Sequence, residues 1–149
     1  MIFGADEWLA LGAAFVLLMI AGAWHLGGIL TIRALIQAAG LRRYFAVLTA
    51  FWGLALLHLS EIIIGAFVYG AAIGWLELGS VTQGYGDSAA GLLYLSGVTF
   101  ATLGYTEQVL DGPLRLMSMM HSLAGFMLIT WSATYVYTIW GENFRENSG

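Results

Sequence analysis

TFATLGYTE (residues 99–107) separates two strongly apolar stretches of the chain. The segment is too polar and too dependent on glycine to face lipid, because each backbone group exposed to hydrocarbon costs several kcal/mol. It must therefore be enclosed by protein or by water. This requirement predicts a re-entrant loop that several copies of the chain surround about a common axis.

Three apolar runs frame this segment, at residues 8–31, 45–75 and 114–140. At about 1.5 Å per residue, each is long enough to cross a hydrocarbon core of roughly 30 Å. A short helix is predicted at residues 89–101, with Asp87 or Ser88 as its N-cap, after a polar outer loop at residues 77–88. The pattern predicts an all-α membrane protein with three transmembrane helices, and a re-entrant helix and loop between the second and the third.

Composition agrees with a membrane protein, since 60% of the 149 residues are hydrophobic and only 9% are charged. A soluble domain would need far more surface charge. The net charge of -4 and the absence of a basic patch exclude nucleic acid as a partner. The residues form neither a serine-histidine-aspartate set in one compartment nor a phosphate-binding loop followed by lysine, so we expect no enzymatic activity.

The arginines predict the orientation of the chain in the membrane. Arg33, Arg42 and Arg43 lie between the first two apolar runs, in what we interpret as a connector. The positive-inside rule places this connector in the cytoplasm. We therefore expect an integral protein of the plasma (inner) membrane with its N-terminus outside and its C-terminus cytoplasmic.

Residues 102–105, TLGY, resemble the selectivity filter of potassium channels, whose pattern is TVGYG. YLSGVTFAT (94–102) looks like the pore helix of small bacterial pore-loop channels, and GFMLITWS (125–132) looks like their inner helix. The resemblance covers roughly residues 58–132. It implies a passive homotetrameric cation channel in a lipid bilayer, because one loop supplies only a quarter of each carbonyl ring.

The resemblance also implies a division of the chain and the ions that it binds. Residues 1–44 would be an N-terminal transmembrane helix with its arginine-containing connector, 45–140 a potassium-channel-like pore domain, and 141–149 a short cytoplasmic tail. Permeant K⁺ or Na⁺ would be the bound ions. We expect no cofactor and no other metal.

Residues of the loop receive their roles by position in the motif. Thr102 would offer its hydroxyl and carbonyl at the inner mouth, with the carbonyls of Leu103, Gly104 and Tyr105 above it. Gly104 is expected on physical grounds too, since aligned carbonyls need alternating backbone conformations and glycine takes positive φ without steric cost.

The outer end of the motif departs from the family. Thr106 stands where the second glycine belongs, and Glu107 where aspartate is usual. A threonine forced into a left-handed conformation costs about 1–2 kcal/mol. We hypothesise that Thr106 rebuilds the outer mouth and weakens the preference for potassium over sodium.

Four ionisable residues fall within the predicted spans, where such groups are functional candidates: His25, His58, Glu61 and His121. His121 is roughly 10 Å below the outer end of its helix, level with Glu61, and His58 is one turn deeper on the face of Glu61. We predict that Glu61 bonds the backbone of the pore helix or filter, with His58, His121 and Glu107 as further support. His25 is predicted near the cytoplasmic end of the first helix, away from the other three residues. We therefore expect it to be a histidine that packs between helices.

The last helix carries a stripe of mostly small residues at alternating steps of four and three: Ser118, Ser122, Gly125, Ile129 and Ser132. This stripe could line a hydrated cavity below the filter. Small residues at this spacing also let membrane helices pack closely. Both interpretations are compatible with a tetramer.

Three alternatives stay open. Glu61 could simply satisfy the hydroxyl of Ser96 or Thr99. The spacing of His58 and Glu61 allows metal ligation on one helical face, but His121 would have to supply a third ligand. The chain could be an intramembrane metal- or haem-binding protein that uses His25, His58 and His121, or it could be a non-conducting channel-like subunit with a degenerate filter.

Overall fold

Three long helices dominate the computed structural model, which describes residues 4–104 and 106–144. In chain order the elements are α1 (Ala5–Ala38), α2 (Tyr44–Gly74), β1 (Val81–Thr82), α3 (Ala89–Phe100), β2 (Val109–Leu110) and α4 (Leu114–Phe144). Helices α1, α2 and α4 are long and apolar enough to cross a membrane, the last over Leu114–Glu142. The chain is therefore a helical integral membrane protein.

The short helix begins where the sequence predicts. The side chain of Ser88 accepts a hydrogen bond from the backbone N–H of Gly91 at 3.1 Å, which confirms Ser88 as the N-cap of α3. The two-residue strands were not predicted. They pair antiparallel, with Val81 opposite Leu110, and hold the segments before and after α3 together.

One arginine lies elsewhere than predicted. Helix α1 continues to Ala38, so Arg33 belongs to the helix and not to the connector. Its guanidinium donates to the carboxylate of Glu142 at 2.9 Å, near the end of α4. The prediction stopped the helix where the apolar run ended, whereas a helix that leaves the hydrocarbon can continue with polar residues.

Helix α1 packs against α2 and α4, and α3 packs against the same two helices. A core cluster at one end includes Ala10, Tyr69, Leu95 and Leu114, so the start of α1 and α4 meets the end of α2 there. A second cluster at the opposite end joins Ile32 of α1, Ala50 of α2 and Ile139 of α4. Between the two lies the polar interior described below.

Large apolar side chains cover much of the outer surface. Phe45, Phe67 and Trp75 are among the most exposed, at 70%, 75% and 86%. In water such a surface would be strongly unfavourable, whereas in a bilayer it faces hydrocarbon of similar polarity. The exposure agrees with a lipid environment.

Candidate functional site

Helix α3 ends in a Schellman motif that leads directly into residues 102–106, which we call the filter segment. The N–H of Leu103 donates to the carbonyl of Val98 at 3.1 Å, and that of Thr102 donates to Thr99 at 3.0 Å. This motif needs a left-handed residue after the helix, usually glycine. Here that residue is Thr102, with φ 55°.

Among the described positions of the filter segment, left-handed backbone occurs at Thr102 and Gly104 but not at Thr106. Gly104 has φ 66°, the positive value that its lack of a β-carbon allows. Thr102 takes a similar value at a cost of about 1–2 kcal/mol. This strain was missed because Thr102 was considered only as a filter residue, although the helix was predicted to end at residue 101, directly before it. Tyr105 lies outside the described residues.

Residues 102–104 of the filter segment are exposed on the single chain. Thr102, Leu103 and Gly104 are all exposed, and none of the described residues donates a hydrogen bond to their carbonyls. An open concavity of about 320 Å³ adjoins the segment, and its lining includes Ser118 and Ser122 of α4. These two residues of the predicted stripe therefore lie beside the filter segment.

Thr106 and Gln108 tie the outer end of the segment to the rest of the chain. The hydroxyl of Thr106 accepts from the N–H of Gln108 at 3.1 Å. The buried Gln108 amide donates to the carbonyls of Gly86 at 3.0 Å and Gly91 at 3.2 Å. Gln108 thus fastens the chain after the filter segment to the start of α3, a role that no sequence motif signalled. Glu107 is exposed and lies beside Gly84.

The inner face of α3 is fixed by two hydroxyl contacts. Ser96 donates to the carbonyl of Ile62 at 2.7 Å, and the Thr99 hydroxyl lies 3.5 Å from that of Ser118. These hydroxyls therefore find partners other than Glu61, which removes the alternative in which Glu61 satisfies one of them.

Glu61 instead lies in a group of four side chains, His25, His58, Glu61 and Ser132, which we call the buried cluster. Glu61 Oε1 is 2.8 Å from His25 Nδ1, and Oε2 is 2.8 Å from His58 Nδ1. The predicted hydrogen bond from Glu61 to the pore-helix or filter backbone is wrong for the described residues, because both carboxylate oxygens are engaged by the histidines.

The position of His25 differs most from the one that the sequence predicts. The depth estimate that set it apart is wrong, since it is fully buried and in contact with Glu61. Counting from the end of the apolar run failed because α1 extends to Ala38, which moves His25 toward the middle of the helix.

His121 lies apart from the buried cluster. Its Nδ1 is 3.3 Å from the Tyr69 hydroxyl, and its ring lies 6.1 Å from that of Phe100. Gly65 of α2 makes this position possible, because a β-carbon there would lie 2.6 Å from the imidazole. The prediction that His121 joins Glu61 is therefore wrong for the described contacts.

The lower part of the predicted stripe has mixed surroundings. Ser132 is buried, with its hydroxyl 2.9 Å from His58 Nε2 and 3.3 Å from His25 Nε2, so within one chain it does not line a hydrated cavity. Gly125 is buried where a β-carbon would collide with the carbonyl of Phe100. Ile129 is 39% exposed.

The fold and the loop together define a membrane protein with two long helices flanking a short helix and an exposed, glycine-containing segment. A family model described as "Ion channel" matches residues 57–140. The match covers more than half of the chain, so the chain belongs to this family, whose model is a two-transmembrane potassium-channel-like pore domain. The chain is therefore a passive ion channel protein and not an enzyme.

The matched region begins at Leu57 and so contains α3, the filter segment and most of α4. No curated protein and no solved structure matches the chain.

Proposed function

We propose that the chain forms a homotetrameric cation channel in which the backbone carbonyls of residues 102–105 bind permeant K⁺, with Na⁺ also able to pass. The supporting observation is that Thr102, Leu103 and Gly104 are exposed, with carbonyls that accept no hydrogen bond from the described residues, in a chain of the ion-channel family. Rings of such carbonyls replace the hydration shell of an ion. Four copies would complete each ring.

The need for further copies follows from the polarity of this backbone. Unpaired carbonyls do not face hydrocarbon in membrane proteins, but are tolerated where they line a water-filled path. The filter segment and the neighbouring Ser118 and Ser122 would face that path together. The segment would then be enclosed by neighbouring subunits and by water.

The outer end of the filter would differ from a potassium-selective one. Thr106 replaces a glycine, and its hydroxyl is already bonded to the N–H of Gln108. We infer that the outermost ion site is weakened while the inner sites remain. Selectivity for K⁺ over Na⁺ would be low for this reason.

The same proposal includes the placement of the protein in the cell. The cytoplasmic side would be that of Arg42 and Arg43, which adjoin the start of α2. The N-terminus would then lie outside, in a plasma (inner) membrane.

Thallium flux into vesicles that contain the purified protein tests conduction. We expect wild-type protein to conduct and Gly104→Ala to lower flux at least tenfold, since alanine strains the left-handed backbone at φ 66° by about 1–2 kcal/mol. Gly22→Ala is the matched control. A β-carbon at Gly22 also meets nothing within 4 Å, but Gly22 lies in the regular helix α1, where alanine causes no backbone strain. Equal flux in the two variants would contradict the proposal, and flux absent from wild type would favour the non-conducting subunit.

Reversal potentials with K⁺ and Na⁺ gradients test the role of Thr106. We expect Thr106→Gly to shift selectivity toward K⁺. Identical reversal potentials in wild type and variant would exclude Thr106 as the cause of low selectivity.

A further inference from the structure

The buried cluster joins three helices, and of its four side chains only His58 and Glu61 are brought together by their spacing in the sequence. His25 comes from α1, His58 and Glu61 from α2, and Ser132 from α4. His25 is 0% exposed, Glu61 3% and Ser132 6%. Polar groups at this depth are retained in membrane proteins chiefly for function.

The two imidazole rings point the same way. Their centroids are 5.4 Å apart and their planes differ by 24°, so the rings are stacked. Both Nδ1 atoms lie 2.8 Å from Glu61, on the carboxylate side of the rings. Both Nε2 atoms lie on the other side, toward the single hydroxyl of Ser132.

Ser132 is suited to hold both rings in one tautomer. A hydroxyl oxygen has two lone pairs, so it can accept one N–H from each Nε2. In this tautomer each Nδ1 presents a lone pair toward the carboxylate. A cation bound among these atoms would stabilise this arrangement, as where a metal-bound histidine donates its other N–H to a nearby acceptor.

The donor set is one that divalent transition metals use. One donor atom from each of His25, His58 and Glu61 lies within 4.8 Å of the others. Two imidazole nitrogens and a carboxylate form three-residue zinc sites in many proteins, and both oxygens of Glu61 face the histidines. We propose that the buried cluster binds one divalent transition-metal ion of the zinc class per chain, linking α1 to α2.

The surroundings fit a bound cation. Trp131 lies 5.3 Å from the His25 ring and Phe100 lies 5.4 Å from the His58 ring, so apolar groups shield the cluster. Phe100 is the last residue of α3, whose carboxyl end carries the negative end of the helix dipole. The His58 side chain is 20% exposed, which makes its side of the cluster the route of entry.

Without metal, the four side chains can still hydrogen-bond to one another, so the protein can be studied with and without the ion. The cluster has four hydrogen-bonding contacts, and each contact needs one proton. With four protons the cluster has no net charge, whether the fourth proton lies on Glu61 or on the second nitrogen of one imidazole. With metal bound, the Ser132 hydroxyl and the two Nε2 atoms hold three protons. Binding of one ion therefore releases one proton to solvent.

Cobalt titration of the full-length protein, purified in detergent and stripped with a chelator, tests the proposal. We expect one Co²⁺ per chain with the visible absorption of a four- or five-coordinate ion, displaced by Zn²⁺. His25→Gln should lower the affinity at least a hundredfold. Ser132→Ala should weaken it about tenfold to a hundredfold while the absorption bands stay, because the hydroxyl only orients the ligands.

His121→Gln is the matched control, since it removes another buried histidine that contacts Tyr69 and not Glu61. It should bind Co²⁺ like wild type. Absence of saturable Co²⁺ and Zn²⁺ binding, or binding that His25→Gln leaves unchanged, would overturn the proposal. The size-exclusion profile and circular dichroism identify a variant that fails to fold. If His25→Gln fails to fold, the Co²⁺ affinity of the milder variant Ser132→Ala tests the proposal instead. Ion flux does not enter these measurements, so the outcome is independent of the proposed channel function.

Discussion

The buried cluster and the filter segment are both polar, but they meet their hydrogen-bonding needs differently. In the buried cluster, each side chain has partners contributed by the same chain. In the filter segment, the carbonyls of Thr102, Leu103 and Gly104 have no donors among the described residues. The buried cluster is satisfied within one chain, whereas the carbonyls of Thr102, Leu103 and Gly104 stay open in the single chain.

This difference separates stability from conduction. Groups paired within one chain contribute to the folding of that chain, and their loss leaves buried partners unsatisfied. Groups left open in the single chain contribute little to its folding, and are available for another subunit or a permeant ion. Substitutions in the two regions should therefore change different measurable quantities.

The largest effect on stability is expected from removal of the carboxylate at the centre of the cluster. Glu61→Leu keeps much of the volume but leaves the Nδ1 atoms of His25 and His58 without a partner, at about 1–3 kcal/mol each, so the free energy of unfolding should fall by about 2–6 kcal/mol. Denaturation of chelator-treated protein in mixed detergent, followed by circular dichroism, measures it. Glu61→Gln is the control, because an amide can bond both rings and should cost clearly less. Equal losses in the two variants would contradict the hydrogen-bonded cluster.

A smaller effect is expected where α4 meets the end of α3, between the two regions. In Gly125→Ala the new β-carbon would collide with the backbone carbonyl of Phe100, and overpacking of this kind costs about 1–3 kcal/mol. Gly141→Ala lies on the same helix with nothing within 4 Å and should cost nothing or stabilise slightly. Thermal unfolding of both variants measures the difference. Similar melting temperatures would show that α4 does not approach α3 as closely as described.

The smallest effect is expected at the start of α3, the helix that carries the filter segment. Ser88→Ala removes the cap of Gly91 N–H and should cost about 1 kcal/mol, whereas Ser88→Asp should retain the cap and the stability. The same denaturation experiment compares the two. A loss shared by both variants would indicate that the side chain at position 88 acts through something other than capping.

Much of the fold was predictable from local pattern. The apolar runs located three spans, and Ser88 located the start of α3, because hydrophobic length and capping chemistry are properties of short segments. The positive φ of Gly104 was predicted for a similar reason, since it depends on the residue type. Family membership followed from the TLGY motif in its context and is confirmed by the matched region.

The candidate site was less predictable. His25 and Glu61 are distant in the chain, and their contact depends on how far α1 extends and how it packs against α2. Ser132 fits the spacing of a pore-lining stripe, but helical rotation turns it toward the histidines. Gln108 carries no motif, and its role appears only when Gly86 and Gly91 lie beside it.

The sequence by itself determined that the chain enters the membrane, where its helices lie and which segment could present carbonyls to an ion. Hydrophobic length, helix capping and glycine conformation act over a few residues, so their consequences can be traced along the chain. Only the tertiary structure decided that His25, His58, Glu61 and Ser132 form one buried cluster and that His121 lies apart from it. Such pairings depend on the rotation and offset of packed helices, which small residues at Gly65 and Gly125 permit but do not specify.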